Sequence, residues 1–450
     1  MLREYQKQGI HFLCSRNQAI LSDEPGLGKS VQALTAIEQQ ELTTLIICPK
    51  SLRGEWKGEV GKWTSLRAVV INGGPKAREF LYRLKPDIYI LSYDTAIRDH
   101  KLISQLPYDC IILDEAQRIK NCNTITAKTV KSLRMPPRRY ILTATPIENR
   151  VEELYSLLEF LGNTAYNNLQ RELLSNRGGY SGYINTAWGD RAQRLKRMMK
   201  RAKPERIHAA LYDLMLRRRK EDVAAELPPK THITIETPLT RKQQELYDTA
   251  RDQLILMIDD RAIPIVSILA SFTYLREICN SAALVNPKLK QSSKMEELMP
   301  RVGEIVSNGH KVIIFSEFKK MCDIIVAALE EGGISTSYIH GQGCNTEAEK
   351  KAFWDGNQVL VSTKTGEAGH NLQCASYVFH VDTPWNYART VQREDRTHRI
   401  GQDKPVFIYT MICPGTVEEK IMGAVQRKKN LFERVIDRPE YREWLRGLLA

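Results

Sequence analysis

The chain has 450 residues, 42% of them hydrophobic, which is long for one packed domain and points to two or three. Its 66 Lys and Arg outnumber 53 Asp and Glu, and the resulting charge of +13 favours a polyanionic partner. Nine scattered Cys with no C-x-x-C pair, no apolar run of membrane length and a start of Met1-Leu2-Arg3-Glu4-Tyr5-Gln6 argue against a disulfide or zinc framework, a membrane span and a signal peptide.

Short apolar runs predict strands at 19–21, 44–48, 68–71, 88–91, 110–113 and 140–142, with helical patterns between several of them. β-branched runs alternating with helices predict a buried parallel sheet, whose ligands sit at the carboxyl ends of its strands. Ser22-Asp23-Glu24-Pro25-Gly26-Leu27-Gly28-Lys29-Ser30 follows the first strand and precedes a helical pattern of Val31, Leu34 and Ile37. That context is the one a phosphate-binding loop needs. Gly26 and Gly28 allow the turn, Lys29 can reach the β- and γ-phosphates, and the Ser30 hydroxyl can ligate Mg²⁺. One departure is Asp23, where such loops usually open with Gly. Three other strand ends carry polar groups: Pro49-Lys50-Ser51, Asp114-Glu115 and Thr143-Ala144-Thr145.

From about 151 to 220 the pattern is helical and then basic, with twelve Lys/Arg in 191–220 against Glu205 and Asp213. This stretch reads as part facing a polyanionic partner and part solvated. Gly178-Gly179-Tyr180-Ser181-Gly182 reads as a turn, Leu227-Pro228-Pro229-Lys230 as a linker, and 241–283 as helical. A second α/β series has strands expected at 311–315, 335–339, 358–362, 377–381 and 406–410. Helices are expected at 317–331, 345–354, 387–397 and about 416–436.

Asp114-Glu115 at the end of a buried strand is costly unless it serves a cation. Asp114 can hold Mg²⁺ through water and Glu115 can orient or deprotonate the attacking water; the same pair also reads as an acidic N-cap. Arg396 and Arg399, three apart in Gln392-Arg393-Glu394-Asp395-Arg396-Thr397-His398-Arg399, would share one face of a helix. They read as a solvated basic face or as arginine fingers for a γ-phosphate.

Together these segments resemble the ATPase motor of the Swi/Snf-type family, a DEAD/DEAH-like core within helicase superfamily two. Leu2-Arg3-Glu4-Tyr5-Gln6 resembles its adenine-sensing start. Leu113-Asp114-Glu115-Ala116-Gln117-Arg118-Ile119-Lys120-Asn121 resembles its acidic motif, and Leu142-Thr143-Ala144-Thr145-Pro146 the segment coupling ATP state to DNA contact. Leu216-Arg217-Arg218-Arg219-Lys220 with Leu227-Pro228-Pro229-Lys230, and Asp395-Arg396-Thr397-His398-Arg399-Ile400-Gly401-Gln402, resemble hallmarks of its second half. Gln117, Ala144 and His370 stand where the family usually has His, Gly and Leu, which puts coupling efficiency in question.

The resemblance implies an α/β fold with two RecA-like P-loop lobes and helical insertions. It places lobe 1 at 1–160, a helical basic insertion and linker at 161–230, a helical protrusion at 231–295, lobe 2 at 296–415 and a C-terminal helical brace at 416–450. It implies catalytic Lys29, Asp114, Glu115, Gln392, Arg396 and Arg399. ATP contacts fall at Gln6, Asp23, Glu24, Gly26, Leu27, Gly28, Lys29 and Ser30, and Mg²⁺ ligands at Ser30 and Asp114. DNA-binding or coupling residues are Pro49, Lys50, Ser51, Trp56, Ser92, Tyr93, Thr143, Thr145, Ser362, Thr363, Lys364, Gly366, Asn371 and Trp385.

The expected activity is ATP-driven translocation on duplex DNA by a monomeric, accessory-free motor, with ATP and Mg²⁺ as cofactors and single-stranded DNA as a further partner. A strand-separating helicase and a nucleotide-gated DNA-binding scaffold are the alternatives. The expected compartment is a prokaryotic or phage-host cytoplasm, or the nucleus of a eukaryote, without secretion or a membrane.

Overall fold

Every apolar run expected as a strand forms one, and all of the strands pair in parallel. The computed structural model describes residues 2–146, 153–162, 211, 213–224, 226–259, 265–341, 344–363, 372–384, 387–399 and 401–423. It describes their side chains except at 255–259, 265–269, 387–389 and 392. The chain divides into two compact units, one of residues 1–225 and 428–450 and the other of residues 226–427. Among the described residues, no helix is long and apolar enough to cross a membrane, and all nine cysteines are free thiols.

The first unit holds β1 (Gln18–Leu21), β2 (Thr44–Cys48), β3 (Ala68–Val70), β4 (Ile88–Ser92), β5 (Cys110–Asp114), β6 (Arg138–Leu142) and β7 (Met215–Leu216). Their order across the sheet is β3-β4-β2-β5-β6-β1-β7. Both faces are buried. Ile111 and Leu113 join one apolar cluster, and Cys110 and Ile112 join the other. This is why β5 reads as an unbroken apolar run rather than an alternating one. Helices α1 (Glu4–Cys14), α2 (Lys29–Gln39) and α3 (Arg53–Trp63) cover the second of these faces, through Ile10 and Leu13, Leu34 and Ile37, and Trp56 and Val60. Because β2, β5, β6 and β1 are neighbours, the polar segments after all four emerge side by side at one edge.

The second unit holds β8 (Lys230–Glu236), β9 (Val312–Phe315), β10 (Thr336–Ile339), β11 (Val359–Ser362), β12 (Tyr377–His380) and β13 (Val406–Ile412), ordered β10-β11-β9-β12-β13-β8. Here the structure departs from the sequence reading. Leu227-Pro228-Pro229-Lys230 is not a linker running into helix; it leads into β8, which pairs with all seven residues of β13. Pro229 accepts from the Val406 N–H, and prolines at the mouth of an edge strand remove no ladder bond.

A second difference concerns the arginines. The helix expected over 387–397 ends at Glu394. The Thr397 hydroxyl and N–H both return to the Glu394 carbonyl, so Arg396 and Arg399 follow a turn and share no helical face. The stretch 241–283 is two helices, Arg241–Asp259 and Ile265–Asn280. The glycine turn at 178–182, the basic run from 191 to 210 and most of the terminal helix lie outside the described residues.

Candidate active site

The loop after β1 has the backbone that a phosphate cradle requires. Gly26 and Gly28 have φ of +88° and +77°, in the region that disfavours any side chain. A Cβ on Gly28 would lie 2.6 Å from Gln6 Nε2, so this glycine also lets α1 close on the loop. Gly28 caps α2, whose first turn carries Lys29 and a half-exposed Ser30. The loop is tied from behind by its Leu27 carbonyl, which accepts from Tyr5 Oη (3.2 Å), Gln32 Nε2 (3.2 Å) and Gln6 Nε2 (3.4 Å). Lys29 Nζ donates to the Asp23 carbonyl at 2.7 Å. Burial lowers the Lys29 pKa, opposed by Glu115, Asp23 and Asp114.

Asp23, the unusual loop residue, is an anchor. Its carboxylate is wholly buried and accepts from Arg218 Nε at 2.9 Å, from Arg218 Nη2, and from Gln32 Nε2 at 3.1 Å. Arg218 also donates to Gln32 Oε1 and to the Tyr5 carbonyl. Gly9 makes room for this knot, since a Cβ there would meet Gln32 Oε1 at 1.7 Å. Glu24 Oε2 accepts from the Lys220 N–H at 2.8 Å. Two corrections follow. The Asp23 carboxylate faces the protein interior rather than a nucleotide, and Glu24 holds the Lys220 backbone. Arg217, Arg218 and Lys220, read as part of a basic run facing a polyanionic partner, are buried, with Arg217 Nη1 donating to the carbonyls of Ser22 (2.7 Å) and Ala144 (3.0 Å).

Asp114 ends β5 two strands away from the loop's strand. Oδ1 accepts from the Glu115 N–H at 3.0 Å, Oδ2 accepts from Trp56 Nε1 at 2.8 Å, and the Asp114 carbonyl accepts from Tyr93 Oη at 2.8 Å. Burial and the neighbouring Glu115 push the Asp114 carboxyl up to about 7, opposed by the Trp56 hydrogen bond and Lys29. Glu115 has a left-handed backbone, φ +50°, which turns the chain sharply off the strand. Gln117 bridges two motifs, donating to Glu115 Oε2 at 2.6 Å and accepting from Thr143 Oγ1 at 2.9 Å.

The residues expected to touch or sense DNA divide sharply. Lys50 and Ser51 are exposed. Pro49, Trp56, Ser92, Tyr93, Thr143, Thr145, Ser362 and Thr363 are buried, and several hold the acidic motif or a strand end. These side chains are turned inward rather than toward a surface. Lys364, Gly366, Asn371, Trp385 and the Gln392 side chain lie outside the described residues.

In the second unit Arg396 is 9% exposed and Arg399 half-exposed. Their segment is stapled to β8: Lys230 Nζ reaches Glu394 Oε2 at 2.9 Å, and His398 Nε2 lies 2.9 Å from the Pro228 carbonyl. The two sequence hallmarks 227–230 and 394–399 are therefore one structural unit. His398 is a structural tie, as is Gln402, whose Nε2 donates to the carbonyls of Gln373, Ala375 and Thr397.

A strand–glycine loop–helix joined to an acidic strand end defines a P-loop nucleotide-binding protein. Residues 5–284 match the SNF2-related domain and residues 293–401 the helicase conserved C-terminal domain, and the chain belongs to the SNF2 family of helicase-like, ATP-binding proteins. It is 32% identical to the uncharacterized ATP-dependent helicase MG018 of Mycoplasma genitalium, over 97% of this chain and 42% of that protein. It is 29% identical to the TATA-binding protein-associated factor MOT1 of Saccharomyces cerevisiae, over 97% of this chain and 27% of that protein. The chain thus spans less than half of either relative. A solved Sulfolobus solfataricus SWI2/SNF2 ATPase core in complex with dsDNA is 29% identical, with 97% of this chain and 93% of that one covered and a TM-score of 0.43.

Proposed function

We propose that the chain is a DNA-dependent ATPase that moves along duplex DNA and remodels DNA or protein–DNA complexes. The observation that carries this reading is the convergence at one sheet edge of the Gly26–Ser30 loop, Asp114-Glu115 and the Gln117–Thr143 bridge. Loop N–H groups and the start of α2 bind the ATP phosphates, and Lys29 exchanges its Asp23 carbonyl for phosphate oxygens. Gln6, whose side chain lies against Gly28, is the residue we assign to the adenine.

Ser30 and Asp114 are the residues that would hold Mg²⁺. The fit rests on a buried carboxylate that has only neutral N–H donors among its hydrogen bonds, beside a second carboxylate. When bound, the cation neutralises charge on the β- and γ-phosphate oxygens. Glu115 orients the attacking water and takes its proton, held in place by Gln117. Arg396 and Arg399 of the second unit stabilise charge on the γ-phosphate in the catalytic state. Gln117 passes the state of Glu115 to Thr143, and exposed Lys50 and Ser51 meet the DNA backbone.

The test is steady-state ATP turnover with no DNA, single-stranded DNA and duplex DNA. Turnover should depend on duplex and fall as salt rises, because phosphate contacts release counterions. Equal turnover with and without DNA at low salt sinks the reading. Displacement of a third strand from a triplex, with a forked duplex left paired, separates translocation from strand separation.

A further inference from the structure

Helix α3 carries five charged residues and three glycines, and its buried residues are Trp56 and Val60, one turn apart. Apolar packing at position 56 needs volume, which Phe or Leu would supply. An indole buried to 2% exposure also carries an N–H that must find an acceptor. The acceptor is Oδ2 of Asp114, 58 residues away in sequence and 2.8 Å away in space. With Oδ1 on the Glu115 N–H, each carboxylate oxygen has one fixed donor and the plane of the carboxylate is set. Each oxygen keeps a lone pair for another partner.

We propose that Trp56 is a positioning residue for the metal-directed carboxylate. Its indole N–H holds Asp114 in the orientation that receives Mg²⁺·ATP, so that α3, which begins directly after exposed Lys50 and Ser51, is fixed to the nucleotide site. The inference rests on reading Asp114 as directed to Mg²⁺. Outer partners that orient a metal ligand are typically worth about 10- to 100-fold in metal affinity or activity.

The experiment is binding of a fluorescent ATP analogue to the full chain, titrated with Mg²⁺ from an EDTA baseline, in wild type, Trp56→Phe, Asp114→Ala and Val60→Ala. Trp56→Phe keeps the ring and loses the donor. The expected result is an increase of about tenfold or more in the Mg²⁺ concentration for half-maximal binding, with analogue affinity in EDTA within about twofold of wild type. Val60→Ala loosens the same packing, keeps the donor, and should leave the Mg²⁺ requirement unchanged. Where Trp56→Phe does not melt cooperatively, Trp56→Leu, which also lacks the donor, takes its place. A folded Trp56 variant with a wild-type Mg²⁺ requirement, while Asp114→Ala raises it, overturns the positioning role. An Asp114→Ala chain with an unchanged Mg²⁺ requirement overturns the metal reading itself.

Discussion

The two units are built on the same plan and differ in how one buried acid is held. In the second, acids beneath the strand ends are closed among protein partners. Asp382 accepts from the Ser316 hydroxyl, the Glu317 N–H and Asn280 Nδ2, with Arg276 at 3.7 Å. Lys294, fully buried, joins Glu418 at 2.6 Å and the Val381 carbonyl at 2.6 Å. Cys279 and Cys413 crowd Glu418 within 4.8 Å, a grouping with metal-ligand chemistry that has no regular spacing in the sequence, yet the ammonium of Lys294 already occupies that carboxylate. In the first unit Asp23 is closed in the same manner by Arg218, but Asp114 is not. It is held by two neutral N–H donors and pushed up to about 7. The contrast teaches which carboxylate the fold reserves: a buried acid without a cationic hydrogen-bond partner awaits one from outside.

The largest test of this contrast removes what the second unit is proposed to lend. Arg399→Ala should retain ATP affinity and lose on the order of 10³-fold in duplex-stimulated turnover, since a catalytic arginine is worth about 10³–10⁵. Arg399→Lys should not restore it, because an ammonium lacks the planar fork. The readout is turnover at saturating ATP and duplex beside nucleotide affinity by fluorescence. Near-wild-type turnover would leave the first unit sufficient by itself.

Next come the closed pairs. Arg218→Met and Lys294→Met each leave a buried carboxylate uncompensated and should cost about 3–5 kcal/mol in urea unfolding. Lys294→Met with Glu418→Leu should recover most of that loss, because removing both charges removes the imbalance. The Arg218 change should also weaken nucleotide binding, since it frees the loop's anchor, whereas the Lys294 change should not.

Asp114 should respond to pH in the opposite sense from a paired acid. Its folded pKa, about 7, lies above the unfolded value of 3.8, so between those limits the folded state binds the extra proton. In EDTA without nucleotide, stability should therefore fall as pH rises from 3.8 to about 7 and level off above it. Asp114→Asn should flatten that slope in urea titrations across pH. An unchanged slope would mean the carboxylate is already satisfied. The smallest effect is expected from Gln117→Ala, which removes the link between Glu115 and Thr143, each hydrogen bond worth about 1 kcal/mol. It should lower DNA stimulation of turnover about fivefold and spare ATP affinity.

Much of this was legible beforehand because it is local. Strands showed as β-branched runs, the loop as glycines between strand and helix, and the acidic motif as charge after an apolar strand. What was not legible depends on partners far along the chain. Nothing in Arg217-Arg218-Arg219-Lys220 says that Asp23, 195 residues earlier, accepts from Arg218. Polar Gln32, set among Val31, Ala33 and Leu34, was the one sign that the buried side of α2 carries a hydrogen-bonded knot. Trp56 was grouped with DNA-binding or coupling residues by the family resemblance, and only the packing of α3 shows that its side chain turns inward. β8 was missed because two prolines precede it and most of its residues are exposed, although the alternation of Ile233 and Ile235 was present.

That strand has a consequence for the order in which the protein can be made. Among the described residues β8 is the second unit's first strand and pairs only with β13, its last. The Thr237 N–H, which extends the ladder, meets the Ile412 carbonyl 175 residues further on. At a synthesis rate of about 5–20 residues per second, the emerging β8 waits roughly 10–35 s for its partner. Its exposed Thr231, His232, Thr234 and Glu236, with two prolines at its mouth, suit it to that interval, since polar and proline-guarded edges resist pairing with the wrong chain.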